Sequence, residues 1–432
     1  MKSKLPSILF TLATIFFAAF TSADNHLPIV VPEDVGFSSA QLDKIESYFA
    51  GRVERGEIAG IVTLVARHGK VAHFSAVGYQ DAERRIPMSR DSLFRIYSMT
   101  KPIATTALMQ LYQDGLFQMN DPLSKFIPEF AGLRVLLDPA GPLDETVAME
   151  REPTVQDILR HTGGFSHCLG NSDYDRECVD LGVFNPDTSL AEMMTALSRL
   201  PLMNQPGSQY RYSVGPDVAL HLVEVISGMP ADDYLEERIF APLGMDDTGY
   251  WVGPESAGRL SPVHWIKNGE LVPIDESHGR PGGGVLTEPW SVNSYTFDQD
   301  YKGGSLGLLS TAEDYWRFAQ AMLNGGELEG QRIIGSGIVD FMARNHLTPM
   351  QRQSFSPALG FGLGFAVVED PAGAGYPANE GNFYWAGAAA TNFWIDPTED
   401  IVVVAMTQHM GVRGTGALRG ELSALVYGAL ID

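Results

Sequence analysis

Hydrophobic positions recur along the chain with two different periods. Behind Ser38 and Ser39, either of which can cap a helix, Leu42, Ile45, Phe49 and Val53 return every three or four residues, the stripe of an amphipathic helix. Residues 61–66 and 71–77 are instead short runs rich in β-formers, separated by Arg67, His68, Gly69 and Lys70, and they predict an antiparallel hairpin. The same signal returns near the other end, where residues 392–395 and 401–406 flank a polar turn and precede a closing helix over about 417–430. Between these ends the periodic segments at 155–160, 190–200 and 218–226 are helical, joined by Pro- and Gly-rich connections. The pattern predicts one α/β subdomain assembled from 24–110 and 290–432, with a mainly helical subdomain, 111–289, inserted between them. A cleft at such a junction is a favoured place for a small-molecule site.

The first 23 residues stand apart from this pattern. Lys2 and Lys4 precede an apolar run from Ile8 to Phe20, followed by Thr21, Ser22 and Ala23, the order of a cleavable export signal, with a mature chain expected to begin near Asp24. The run is too short to span a bilayer and no later stretch is long and apolar enough, so no stable membrane anchor is expected. A periplasmic or secreted location follows. In such a compartment Cys168 and Cys178, the only cysteines, ten positions apart in what reads as a polar loop, are candidates for one disulfide.

Composition narrows the functional classes. Of 432 residues, 44% are hydrophobic, enough for a large core, and 45 glycines without a fixed period point to many tight loops. A formal charge of −23 repels phosphate backbones and anionic lipid, which excludes nucleic acid as an expected partner. No cofactor is implied: Gly282, Gly283 and Gly284 lack the Lys and Ser/Thr of a phosphate loop. The cysteines have no ligand set beside them for a metal.

The chemistry concentrates first at Ser98-Met99-Thr100-Lys101. This tetrad follows an apolar segment and opens a helical pattern through Ile103, Ala107, Leu108 and Leu111 that Gly115 can end. On one helical turn, Ser and Lys at i and i+3 share a face, so an amine can take the proton of a hydroxyl that is a weak nucleophile alone. The free N–H groups of a helix start favour developing negative charge. The block from Phe94 to Gln110, with Gly115, Leu116, Asp121, Pro122 and Leu123 behind it, resembles the active-site helix of the penicillin-recognising serine hydrolases, especially the class C β-lactamase and family VIII esterase branch. The resemblance extends through Leu159 to Gly164, Pro206 and Gly207, Tyr212 and Ser213, and residues 310–318. It implies an α/β (α+β type) fold, an antiparallel sheet flanked by helices with an inserted α-rich subdomain, and covalent acyl transfer.

The resemblance also implies roles. Tyr212 matches the tyrosine of the family's second motif and becomes a candidate proton shuttle, because a neighbouring lysine cation favours phenolate; Tyr210 is its competitor. Val214 stands where the motif carries Asn, and Trp385, Ala386 and Gly387 stand where it carries Lys-Thr-Gly. Trp385 and Gly387 are thus candidate substrate-binding residues, and a tryptophan in place of a cation suits an uncharged acyl or alcohol group. The N–H groups of Ser98 and Ala388 would form the oxyanion hole. A rival nucleophile is Ser305 in Gly303-Gly304-Ser305-Leu306-Gly307, a G-x-S-x-G match with His346 and His409 downstream, but polar residues precede it where an apolar strand is required. His161 and His278 lie near glycine-rich turns that border the expected cleft.

These residues predict an exported serine hydrolase acting on a small-molecule ester or amide, foremost a carboxylesterase with an acyl-enzyme on Ser98 served by Lys101 and Tyr212. The alternatives are a β-lactamase or D-amino-acid peptidase using the same nucleophile, and a non-catalytic cell-wall binding protein on the same scaffold.

Overall fold

The computed structural model describes residues 27–275, 277–278, 295–411 and 415–432. The expected export signal at 1–23 and the glycines Gly282, Gly283 and Gly284 lie outside these residues.

Strands from the two ends of the chain share one sheet. The N-terminal part contributes β1 (Gly60–Arg67), β2 (Lys70–Asp81) and β3 (Ile86–Pro87); the C-terminal part contributes β4 (Leu359–Phe361), β5 (Ala366–Val368), β6 (Phe383–Ala386), β7 (Asn392–Asp396) and β8 (Ile401–Met406). The order is β4-β5-β6-β7-β8-β1-β2-β3, with every neighbouring pair antiparallel. The ends are sewn together by β1 and β8, where Val62 lies opposite Met406 and Arg67 opposite Ile401. The turn between β1 and β2 takes His68 and Gly69 to φ of 54° and 69°, the left-handed pair that a two-residue hairpin needs to match strand twist. His68 Nδ1 meets Asp400 Oδ2 at 2.8 Å, linking this turn to the one between β7 and β8.

Helices cover both faces. On one side Ile61 and Val65 of β1 pack with Leu42, Ile45 and Phe49 of α1 (Ser39–Glu54) and with Leu418, Leu422 and Val426 of α5 (Thr415–Tyr427). The alternate positions Val62, Leu64 and Ala66 join Ala104 and Ala107 of α2 (Thr100–Gln113) and Tyr315 and Phe318 of α4 (Ala312–Leu323). Every residue of β1, β7 and β8 is buried. Burial of both faces is why these strands read as unbroken apolar runs rather than alternating ones. Each such side chain contributes about 1.5–3 kcal/mol of burial.

The segment between α2 and β4 contains several short helices and adds α3 (Gly215–Ser227), which packs on α2. Among its described residues it also carries three small hairpins, Arg134–Leu136 with Thr146–Ala148, His264–Lys267 with Glu270–Pro273, and Glu327–Leu328 with Gln331–Arg332. α2 is buried from Thr100 to Leu111, lying between the sheet layer and α3. Its N-terminus therefore opens where the two parts meet. Among the described residues no helix is long and apolar enough to cross a membrane.

Candidate active site

Ser98 lies in a 3-10 turn, Tyr97–Met99, and the α-helix expected to open at Ser98 begins two residues later at Thr100. The tighter turn follows from Tyr97, which holds φ of 45° in the left-handed region, a strained conformation for a bulky residue worth about 1–3 kcal/mol. Neighbours fix it: the Ile96 N–H donates to Leu308 O at 3.0 Å, and the Tyr315 hydroxyl donates to Met99 O at 2.9 Å.

Two of the candidate side chains close on Ser98. The Tyr212 hydroxyl is 2.8 Å from Ser98 Oγ, and Lys101 Nζ is 3.2 Å from the same oxygen. Lys101 is only 3% exposed; its Nζ donates to the carbonyl of Ser305 at 2.6 Å and stands 4.7 Å from the centre of the Tyr212 ring. The structure thus brings together the hydroxyl, amine and phenol singled out in the sequence. Tyr210, the competing phenol, points elsewhere: its ring packs 4.5 Å from Phe355 and 5.3 Å from Phe361, and its N–H donates to Ser354 Oγ.

Tyr212 is placed by backbone and by His161. The Arg211 N–H donates to His161 O at 2.7 Å and the Val214 N–H to Ser166 O at 3.0 Å, pinning both sides of the tyrosine just before α3. The His161 ring lies 4.8 Å from the Tyr212 ring and its Nδ1 is 3.0 Å from Ser213 Oγ. Burial, reinforced by the charge of Lys101, pushes His161 well below the usual histidine range, so it is a neutral support behind the tyrosine.

The opposite wall comes from the end of β6. Trp385 is half-buried, 5.6 Å from the Tyr212 ring and 5.3 Å from Phe361. Gly387 is buried, and a Cβ there would collide with Thr391 Oγ1 and the Ile96 carbonyl. Only glycine lets this strand end approach the residues just ahead of Ser98. Ala388 follows, exposed on the turn into β7, and among the described residues the N–H groups of Ser98 and Ala388 make no hydrogen bond to a protein acceptor.

The other candidates take different places. Ser305 is buried and enters the site through its carbonyl, not its hydroxyl. Ser305 Oγ makes no hydrogen bond among the described residues, so neither histidine is bonded to it: His346 meets Gln156 at Nδ1 and Phe341 O at Nε2, and both ring nitrogens of buried His409 are without a partner. His278 closes a local turn on Asp275 at 2.8 Å. Cys168 and Cys178 are disulfide-bonded with Cα atoms 5.8 Å apart. The segment is less loop-like than its polar composition predicts, because Ser172 and Asp175 form a capping box that starts a helix, Asp173–Asp180, and carries Cys178 into the core.

Two contributors escaped the sequence reading. One is the Ser305 carbonyl, whose chemistry any residue would supply. The other is Asp217, wholly buried on the first turn of α3, whose Oδ1 accepts the Tyr301 hydroxyl at 2.7 Å and the Ser305 N–H at 3.0 Å. An acidic residue after a proline at a helix start is ordinary, so nothing in its spacing marks it out.

Comparison with known proteins finds relatives over most of the chain. The Beta-lactamase family model matches residues 45–427. The chain is 34% identical over 387 residues to Protein Rv1367c of Mycobacterium tuberculosis, covering 86% of this chain and 91% of that protein. It is 30% identical over 412 residues to Esterase EstB of Burkholderia gladioli, covering 93% and 98%. Among solved structures, EstCE1, described as a hydrolase with promiscuous acyltransferase activity, superposes with a TM-score of 0.77 at 25% identity, covering 90% of this chain and 99% of that one.

Proposed function

Because the chain belongs to the Beta-lactamase family and is a serine hydrolase of that fold, we propose that it hydrolyses carboxylic esters through a covalent acyl-enzyme on Ser98. The observation that carries this reading is the single oxygen, Ser98 Oγ, within hydrogen-bond reach of both the Tyr212 hydroxyl and Lys101 Nζ. Ser98 attacks the ester carbonyl while Lys101 and Tyr212 draw off its proton. The N–H groups of Ser98 and Ala388 receive the oxyanion, and Tyr212 returns a proton to the departing alcohol. Water repeats the sequence on the acyl-enzyme; an alcohol in its place gives transesterification.

The walls favour esters over β-lactams and D-amino-acid peptides. Those substrates carry a carboxylate, which a cation at the Trp385 position would attract; Trp385, backed by the buried Phe361, instead offers apolar surface, and buried Val214 offers no side-chain amide. EstB, an esterase by name, supports the same preference. Mass spectrometry after brief exposure to p-nitrophenyl butyrate tests the nucleophile: the acyl mass is expected on the Ser98 peptide, and a mass on Ser305 overturns the assignment. Turnover of nitrocefin exceeding that of p-nitrophenyl butyrate reverses the substrate class. No labelling by ester or fluorophosphonate would favour a non-catalytic binding protein.

Export is part of the proposal. It is supported by the order of charges and apolar residues in 1–23 and by the bonded pair Cys168–Cys178, since disulfides persist in oxidising compartments. N-terminal sequencing of the protein from cell fractions tests it, with a start near Asp24 outside the cytoplasm as the expected result.

A further inference from the structure

The loop that holds one side of Tyr212 also carries the disulfide. The carbonyl of Ser166 accepts the Val214 N–H at 3.0 Å, and two residues further along Cys168 is bonded to Cys178. Between these points the loop folds on itself: the Cys168 N–H donates to Ser166 Oγ at 3.2 Å, and the Leu169 N–H donates to His167 Nδ1 at 2.8 Å. Cys168 holds φ of 55°, a left-handed conformation that a non-glycine residue keeps where its surroundings enforce it. The His167 ring fronts the same tyrosine, 6.4 Å from the centre of its ring.

The far end of the bridge is firm. Cys178 lies in the core on the helix Asp173–Asp180; Tyr174 of that helix donates its hydroxyl to Pro201 O at 3.0 Å, and the Val183 N–H donates to Cys178 O at 2.9 Å. A covalent bond thus runs from a packed helix to the loop that positions Tyr212. Both cysteines are buried, so dissolved thiols have poor access to the bond once the chain is folded, and its state is set as folding is completed.

We propose that the Cys168–Cys178 bond is a redox latch on catalysis: closed, it positions Tyr212 at Ser98; open, it leaves a folded but slow hydrolase. The inference rests on the acyl-enzyme reading above and adds a control to it. Closing the latch takes an oxidant of the disulfide class. One cysteine thiolate attacks the reagent disulfide and expels one thiol; the other cysteine attacks the mixed disulfide so formed and expels the second. Two electrons and two protons leave the pair, and the reagent ends as two thiols. An oxidising compartment supplies such a reagent and a reducing cytoplasm does not, so with the export proposed above the chain becomes fast only after it has left the place where it is made.

The purified protein, unfolded and reduced, is refolded either with glutathione disulfide or with a phosphine reductant, and the free thiols are counted by alkylation and mass spectrometry. Hydrolysis of p-nitrophenyl butyrate is then measured well below the Tm of both samples. The reduced sample is expected to show kcat about tenfold below the oxidised one, because a support of a proton-transfer group is loosened. Its KM is expected to stay within about threefold, because the Trp385 wall is not part of the loop. A staple that only stabilises would lower Tm and leave kcat alone, and equal kcat in the two samples overturns the proposal. The double variant C168A/C178V keeps apolar volume in the core and cannot be oxidised; it is expected to stay at the low kcat in both buffers, and parental kcat in it overturns the proposal. If neither the reduced chain nor C168A/C178V folds, the bond is a folding staple and the latch is likewise overturned. Acyl labelling of the oxidised sample separates the two readings: label on Ser98 without any dependence of kcat on the bond sinks this inference alone, and label elsewhere sinks the mechanism beneath it.

Discussion

Two serine-bearing segments converge on Lys101, and they contribute opposite parts of themselves. Ser98 sits on a strained turn and offers its hydroxyl, bracketed by Tyr212 and Lys101. Ser305 sits in a glycine-rich stretch and offers its carbonyl, its hydroxyl making no hydrogen bond in the interior. Both occur in patterns known from serine hydrolases, yet a pattern describes side chains, and only the surroundings decide whether the side chain or the backbone is put to use. The contrast predicts which substitutions matter at each segment.

The largest effect is expected from Ser98→Ala. Removing the proposed nucleophile should lower kcat for p-nitrophenyl butyrate at least about a thousandfold, with Tm near that of the parent, because a partly exposed hydroxyl is lost and no cavity forms. Retention of most activity in S98A would make the two segments equivalent and end the comparison.

Tyr212→Phe comes next. The ring packing with His161 and Trp385 survives, while the hydroxyl 2.8 Å from Ser98 Oγ disappears. General acid–base groups typically contribute 10²–10⁴-fold, so a loss of kcat of about a thousandfold is expected. The parallel Tyr210→Phe removes a hydroxyl from a phenol that does not reach Ser98 and should cost under about tenfold. Equal losses in both would show that aromatic packing, not proton transfer, is what Tyr212 supplies.

How much of this was legible follows from the same contrast. The strands declared themselves because Ile61–Ala66 and Ile401–Met406 are buried on both faces, and the Ser98–Lys101 spacing because a helical turn sets two side chains on one side. Joining both chain ends in one sheet followed from hairpin signals at each. What stayed hidden is what carries no residue identity or has an ordinary look: the Ser305 carbonyl, the left-handed Tyr97, the close approach allowed by Gly387, and Asp217 at a helix start. Tyr212 is chosen over Tyr210 by its place in the family's motif rather than by spacing, since two residues apart on an irregular segment gives no face to compare. The Cys178 helix was missed for a related reason: its capping residues and acidic first turn read as a polar loop when the buried side of so short a helix is not visible.

The Ser305 segment can be disturbed without touching its serine. Gly304 packs on the start of α3, where a Cβ would collide with the Pro216 carbonyl and crowd Leu220. Gly304→Ala must therefore push Ser305 away from α3 and with it the carbonyl that holds Lys101. A displacement of about 1 Å in such supports can cost about a hundredfold, so a kcat loss of that size is expected, together with a lower Tm. Full activity in G304A would mean that the carbonyl contact does not position the lysine.

Ser305→Ala is the smallest change and the sharpest test of what each serine is for. The substitution deletes a hydroxyl that is buried and makes no hydrogen bond, while leaving the N–H on Asp217 and the carbonyl on Lys101 in place. Removing an unbonded polar atom from the interior relieves a desolvation cost, and the small void left behind offsets part of the gain. Stability should stay within about 1 kcal/mol of the parent, and kcat/KM within about threefold. The result matters most beside G304A: one neighbour of the same carbonyl is expected to be nearly silent and the other damaging, although the silent one carries the residue that a motif search would select. A loss in S305A as large as in S98A would put the hydroxyl back into the chemistry and require Ser305 to act through a base that the structure does not bond to its hydroxyl.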